Sequence, residues 1–414
     1  MSDGVSAEQL RSLLKISRAL AVTVKLDTFL PTAVEIVTTL LSCERASVYI
    51  VDASSGELWT QAAVGAPQIR LPAGRGLAGA ALMSGEASVV PDAYADARFD
   101  PTTDAKLGFR TRDIMTVAMF DLQQKPVGVI QAINSLKNGF TTTDLELLKL
   151  VADQGGVAVQ RHRLADAVRA ADALRREMDL AAAVQMELLP KSLPVVGSID
   201  VAGWSVPASV TGGDCYDVWQ LADGRMAILL ADAAGHGIAP AMVVTQVRSL
   251  VRLLACPQMN PAEVLNRVNA RLAEDLSPHR FVTAALAYLS ADGVIDLASA
   301  GHGPILVSER PGVPAHELSA SGLPLVIDPE PSVEQLPPIH LQPGGQLVLM
   351  SDGIFEAPSR AGELLGIERV ESALRARPTE SAMQQIDHVR SMVRHWEESA
   401  DIRDDQTIVI ARRV

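Results

Sequence analysis

The sequence predicts an α+β protein in three segments, and three observations predict it. Strand-length apolar runs alternate with helical spacings up to about Leu150, an apolar residue then recurs at every seventh position, and beyond Pro194 strand-like runs share one stretch with long helical ones. An antiparallel sheet with its own helices, a connecting helix, and a sandwich covered by helices on both faces account for that order. At 414 residues the chain exceeds what one ordinary core serves, so two or three domains are expected. The boundaries fall at 1–155, 156–190 and 191–414.

In the first segment Leu10, Leu13, Leu14 and Leu20 have helical spacing, and Leu30–Leu41 gives another helix. Ala46–Asp52 and Leu58–Val64 read as strands around a turn at Ala53–Gly56. The glycines Gly74, Gly76 and Gly79 follow, then strand Met115–Asp121, a turn at Gln123–Pro126 and strand Val127–Asn134.

Between Val157 and Leu188 there is a heptad register. Val157, Leu164, Ala171 and Met178 fall seven apart, and Ala167, Leu174, Ala181 and Leu188 fill the second seam, with charges between them. Such a seam predicts a two-stranded coiled coil and therefore a homodimer. Its alanines and the seam positions Gln160 and Gln185 make it a weak one. Pro190 and Pro194 end the helix.

In the third segment Ile199–Val206, Tyr216–Leu221, Met226–Ala231, Val282–Ser290, Val294–Ala300, Gln346–Met350 and Thr407–Ala411 read as strands. Ala239–Ala255, Ala262–Leu276, Glu368–Ala376 and Ser381–Trp396 read as helices.

Composition narrows the function. A net charge of −13 with no basic patch repels nucleic acid and anionic membranes. Charged residues interrupt the first 25 positions and no apolar run reaches the ~20 residues a bilayer needs, so neither a signal peptide nor a span is read and a cytoplasmic location is expected. Cys43, Cys215 and Cys256 are too few and too scattered for a disulfide framework or a thiolate zinc site.

Chemistry enters with the stretch LADAAGHGIAPAM, Leu230–Met242, where an apolar run ends in an aspartate followed by small residues. The pattern recurs: Gly212-Gly213-Asp214, Ser351-Asp352-Gly353, and Asp404-Asp405 before Thr407. Each alone reads as an ordinary turn. Together, Asp232 and Asp352 end apolar runs and Asp404 opens another, so a sandwich can gather these ends at one edge. Four gathered carboxylates repel one another unless cations offset them, and two divalent ions do so. Oxygen ligands without a His/Cys set favour magnesium or manganese. Such a pair activates water and clamps phosphoryl oxygens for in-line attack without a protein nucleophile.

The same residues resemble a known family. Thr211–Asp217, Asp232–Gly237, Phe281–Ala284, Ala300–Pro304, Ser321–Pro324, Ser351–Gly353 with Glu356, and Asp404–Thr407 are similar, in family order, to the SpoIIE-like branch of the metal-dependent PPM serine/threonine protein phosphatases. The resemblance implies an α-β-β-α sandwich with two Mn2+ or Mg2+ ions. Asp214 and Asp232 are then the catalytic, ion-binding acids, the Ala233 carbonyl a further ligand, and Asp352 and Asp404 complete the second ion, with Asp404 preferred to Asp405. The histidine that eukaryote-like members place two residues after Asp232 is Ala234 here, and His236 stands two further on. The general-acid role is therefore not carried over, and His236 and His302 read as structural.

The first segment resembles a GAF sensory domain, an α/β/α fold, through Gly74–Gly79, Ser84–Glu86, Pro91-Asp92, Arg98-Phe99, Thr111–Asp113 and Gly128–Asn134. The positions that cyclic-nucleotide-binding members use read Asn134-Ser135, Phe140 and Asp144-Leu145, without their Lys and Glu, and the ligand, small molecule or protein, is not named. Ala183–Gln185 and Leu188–Pro190 resemble the family's relay helix before the phosphatase domain.

The resemblance implies a sensor-regulated phosphatase acting on a phosphorylated regulatory protein, an anti-sigma-factor antagonist in bacterial partner switching. The alternatives are a catalytically inactive scaffold binding the same partner and a nucleotide cyclase. The scaffold does not explain four retained acids. The cyclase signature continues Gly-Gly-Asp with Glu-Phe, where Cys215-Tyr216 stand here.

Overall fold

The computed structural model of the protein describes residues 26–52, 55–63, 69–398 and 402–414. The expected helix through Leu10–Leu20 lies outside the described residues, as do Ala53 and Ser54 of the expected turn and Val64 at the expected end of the second strand. The chain divides into two units, Met1–Ala173 and Leu174–Val414.

In the first unit helix α1 (Leu26–Leu41) leads to strands β1 (Cys43–Val51), β2 (Leu58–Ala63) and β3 (Ile69–Leu71). Helix α2 (Gly76–Ser84), strand β4 (Ser88–Val90), helix α3 (Thr102–Leu107), strands β5 (Ile114–Phe120) and β6 (Pro126–Ser135) and helix α4 (Thr142–Leu188) follow. The strands form one sheet in the order β3-β2-β1-β6-β5-β4, antiparallel as expected. Successive strand residues face opposite sides. Val48 and Ile130 therefore join Leu30, Val34, Leu147 and Val151 of α1 and α4 in one core, while Tyr49 and Val129 join Ala78 and Leu82 of α2 in another. The sequence reading missed β3 and β4 because three residues show no alternation, and α2 because its glycines and alanines carry no apolar stripe.

Helix α4 is 47 residues long and begins inside the first unit's core, so it runs unbroken through the expected linker. Leu164 and Leu174 of the expected seam are 60% and 58% exposed. The two glutamines expected as polar seam positions are spent within the chain instead, which corrects that reading. Gln160 accepts from Leu122 N–H and donates to Gln123, and Gln185 bonds Gly212. Among the described residues no helix is long and apolar enough to cross a membrane.

The second unit is a sandwich of two five-stranded sheets. Its strands are β7 (Ile199–Val206), β8 (Asp214–Gln220), β9 (Met226–Ala233), β10 (Val282–Leu289), β11 (Val294–Ala300), β12 (Ile305–Ser308), β13 (His316–Leu318), β14 (Ile339–His340), β15 (Gln346–Met350) and β16 (Gln406–Arg413). Its helices are α5 (Ile238–Leu254), α6 (Pro261–Asp275), α7 (Asp352–Phe355), α8 (Ile367–Arg375) and α9 (Ala382–Glu397). The sheets run β14-β11-β10-β9-β8 and β13-β12-β15-β16-β7. Between them lie Tyr216, Ile228, Leu230 and Ala285 against Leu347, Leu349, Val409 and Ala411. Helices α5 and α6 cover one outer face and α8 and α9 the other, which is the expected α-β-β-α arrangement.

Alternation then decides what fills the end of the inter-sheet layer. Leu230 faces inward, so Asp232 does too; Tyr216 places Asp214 inward, Ala285 places Thr283, Leu349 places Ser351, and Val409 places Thr407. One end of an apolar layer is therefore lined with acids and hydroxyls.

Candidate active site

Asp214, the first residue of β8, is 6% exposed and lies directly opposite Asp232 of β9. Thr283 of β10 is the register partner of Asp232 on its other side. Across the layer, the Ser351 and Thr407 hydroxyls approach Asp214. They are themselves tied together: Thr407 N–H donates to Ser351 Oγ at 2.9 Å, Ser351 Oγ donates to the Asp405 carbonyl at 3.1 Å, and Ser205 Oγ lies 2.8 Å from Thr407 Oγ1.

Burial, reinforced by the Asp232 charge, raises the Asp214 carboxyl well above the usual carboxylate range despite these hydroxyls. Burial, then the charges of Asp352, Asp404 and Asp405, push Asp232 up to about 7. Asp352 opens α7 and is raised by burial, then by Asp404 and Glu356. Asp404 is exposed and accepts from Asp405 N–H at 2.9 Å. It precedes β16 by two residues rather than opening it, because the strand begins only where Gln406 pairs with Val206.

Asp405 does different work. Its carboxylate accepts from Ala208 N–H at 2.7 Å and from Gly213 N–H, so it holds the loop before Asp214. The Ala233 carbonyl borders the same loop: a Cβ on Gly213 would lie 2.6 Å from it. Glycine there keeps that carbonyl open.

These residues fit divalent cations. Asp214 Oδ2 is buried with no hydrogen-bond partner, its neighbour repels it, and the donors are all oxygen. Among the described residues no three acids close around a single point. Two ions suit that spread, because magnesium is usually held by one or two carboxylates and keeps several waters.

The histidines divide. His236 is exposed in the turn after Asp232. His302 is 3% exposed, with Nδ1 3.0 Å from Thr283 Oγ1, and burial lowers it to about 4. A buried neutral ring cannot serve as a general acid to a substrate, in line with its expected structural role.

Sequence reasoning missed the contact of Gln185, which grips the loop before Asp214. Its side-chain amide donates to the Gly212 carbonyl at 2.6 Å and accepts from Gly212 N–H at 3.2 Å.

The model of Stage II sporulation protein E (SpoIIE) matches residues 222–414 and that of the GAF domain residues 25–159. The chain joins a GAF domain to a SpoIIE-type PP2C phosphatase domain. Phosphoserine phosphatase RsbU of Bacillus subtilis (strain 168) is 26% identical over 261 residues, covering 62% of this chain and 76% of that protein. Phosphoserine phosphatase RsbP of the same organism is 24% identical over 244 residues, 57% of each chain. The SiaA-PP2C domain of Pseudomonas aeruginosa shares the fold, with a TM-score of 0.52 at 22% identity over 59% of this chain and 98% of that one.

The GAF domain holds a cavity of about 90 Å3 lined by Arg45, Tyr49, Arg75, Phe99, Phe109 and Gln131, among others. The positions compared with cyclic-nucleotide-binding members are committed elsewhere. The Asn134 side chain bonds Arg112 N–H, Glu44 and the Arg110 carbonyl, and Asp144 accepts from the N–H and hydroxyl of Thr141 and pairs with Lys137.

Proposed function

We propose that the protein is a sensor-regulated, metal-dependent protein serine/threonine phosphatase that removes phosphate from a small regulatory protein of the anti-sigma-factor-antagonist type. The observation that carries the reading is the buried pair Asp214–Asp232, directly opposed at the end of the sandwich with one carboxylate oxygen unpartnered. The relatives' printed names, phosphoserine phosphatases, supply the substrate class.

In this reading Asp214 and Asp232 hold two Mn2+ or Mg2+ ions, the Ala233 carbonyl adds a ligand, and Asp352 and Asp404 complete the second ion. Bound ions supply Lewis acidity and a nucleophilic water for in-line attack. Asp405 orients the Gly213–Asp214 loop, the Ser351 and Thr407 hydroxyls lie against Asp214, and the apolar layer behind them excludes bulk water.

Regulation enters through α4, which starts in the GAF-domain core and ends at the Gln185 grip on Gly212. A small molecule or protein acting on the GAF domain need only prefer one placement of that helix. The exposed Leu164 and Leu174 suit pairing with a second copy, giving a cytoplasmic homodimer.

The test is Asp232→Asn in the full chain. Manganese-dependent phosphate release is abolished and the variant retains its phosphorylated partner in a pull-down. Retained activity overturns the assignment.

A further inference from the structure

We propose that Thr283 and His302 form a strut between the two sheets that sets the separation of Asp232 from Asp352, making both positioning residues for the second ion.

The strut starts beside one acid and ends near the other. Thr283 is the cross-strand partner of Asp232, so their side chains leave the sheet on one face as neighbours. The Thr283 hydroxyl meets His302 Nδ1 at 3.0 Å. Against the same ring lies the carbonyl of Met350, the last residue of β15 and two before Asp352. His302 Nε2 is buried without a completed hydrogen bond, which leaves it free to engage that carbonyl. One ring thus bonds β10 of the first sheet and faces, without a completed bond, the Met350 carbonyl of β15 in the second, at the end of the layer where the acids stand.

The main chain that carries the ring is itself held. Ser299 Oγ donates to the His302 carbonyl at 2.6 Å and accepts from His302 N–H at 3.1 Å. Ser299 N–H in turn donates to Ser321 Oγ at 3.0 Å. The Ala300–Pro304 and Ser321–Pro324 stretches, which the metal assignment leaves without a role, are therefore the scaffold of this ring. A buried ring far below its usual pKa stays neutral, and a neutral imidazole has one donor and one acceptor nitrogen. It can accept from Thr283 and donate to Met350 at once. Two catalytic ions stand only about 3.5–4 Å apart, so the spacing of the two sheets at this point decides whether both ions find their ligands.

The proposal rests on the two-ion reading, and the test separates the two. The full chain is titrated with Mn2+ by calorimetry, its melting is followed in chelator, and kcat and KM are measured with p-nitrophenyl phosphate. Thr283→Val keeps shape and loses the hydroxyl; Thr283→Ser keeps the hydroxyl. His302→Asn places an amide where Nδ1 was and removes the reach to Met350. Thr283→Val and His302→Asn are expected to bind the first ion as the wild type does. The second binds at least tenfold more weakly and kcat falls with KM little changed, while Thr283→Ser restores both. A merely structural role would lower the melting temperature without separating the two ions. Wild-type affinity for both ions in Thr283→Val overturns the strut alone; a wild type that binds no second ion overturns the two-ion reading and the strut with it.

Discussion

Asp214 and Asp232 are register partners on adjacent antiparallel strands, a position in which like charges destabilise a sheet. Burial and repulsion raise both carboxyls. Without metal, the folded protein therefore holds protons that the unfolded chain has released, from the ordinary carboxylate value of about 4 up to about 7 for Asp232. Unfolding is increasingly favoured as pH rises through that window, and the loss is complete above it. In chelator the melting temperature is expected to fall by about 5 °C between pH 5.5 and 8. Manganese should remove the fall, and Asp232→Asn should flatten it. A wild-type melting curve independent of pH in chelator contradicts the assignment.

Asp404 and Asp405 are neighbours with opposite duties. Asp405 spends its carboxylate on Ala208 and Gly213 N–H and its carbonyl on Ser351. Asp405→Ala strands one buried and one part-buried donor and is expected to cost about 2–4 kcal/mol of stability, seen in denaturant titration. Asp404 is exposed, so Asp404→Asn should leave the chelated protein's stability unchanged while raising the manganese needed for half-maximal activity at least tenfold.

How far the sequence carried this architecture depends on alternation. Ile199–Val206, Val294–Ala300 and Gln346–Met350 have the bounds expected of them, because each is an apolar-rich run of strand length packed between a core on either face. Short edge strands such as β13 and β14 had no such signal. The inward hydroxyls were legible in principle: counting by twos from Leu347 reaches Ser351, and from Ala411 reaches Thr407. No local pattern could reveal that Gln185 reaches Gly212, or that His302 bonds Thr283, since these are partners only once the sandwich has closed.

Gly213 tests the Ala233 carbonyl. An alanine Cβ there would sit 2.6 Å from that oxygen and 3.3 Å from the Gly235 carbonyl. Either the loop before Asp214 or the one after Asp232 must shift. A misplacement of about 1 Å costs roughly 100-fold in a positioned reaction, so Gly213→Ala is expected to lose about that much in kcat. Its overpacking costs only about 1–3 kcal/mol. Steady-state kinetics beside a thermal melt separates the two effects, and wild-type kcat in a folded variant removes the Ala233 carbonyl from the ligand set.

Gln185 is the point where α4 touches the acid-bearing edge. Its amide satisfies both main-chain groups of Gly212, a buried residue two positions before Asp214. Gln185→Leu preserves volume and leaves both groups unpaired, at about 1–3 kcal/mol each. The loop then answers only to Asp405, and basal kcat should fall at least tenfold while manganese still binds. Gln185→Glu keeps the acceptor for Gly212 N–H but opposes the Gly212 carbonyl and adds a negative charge to an edge already crowded with them, so its loss should be greater. Phosphate release measured on both variants decides the matter. If kcat in Gln185→Leu equals that of the wild type, α4 does not act on the site through this grip.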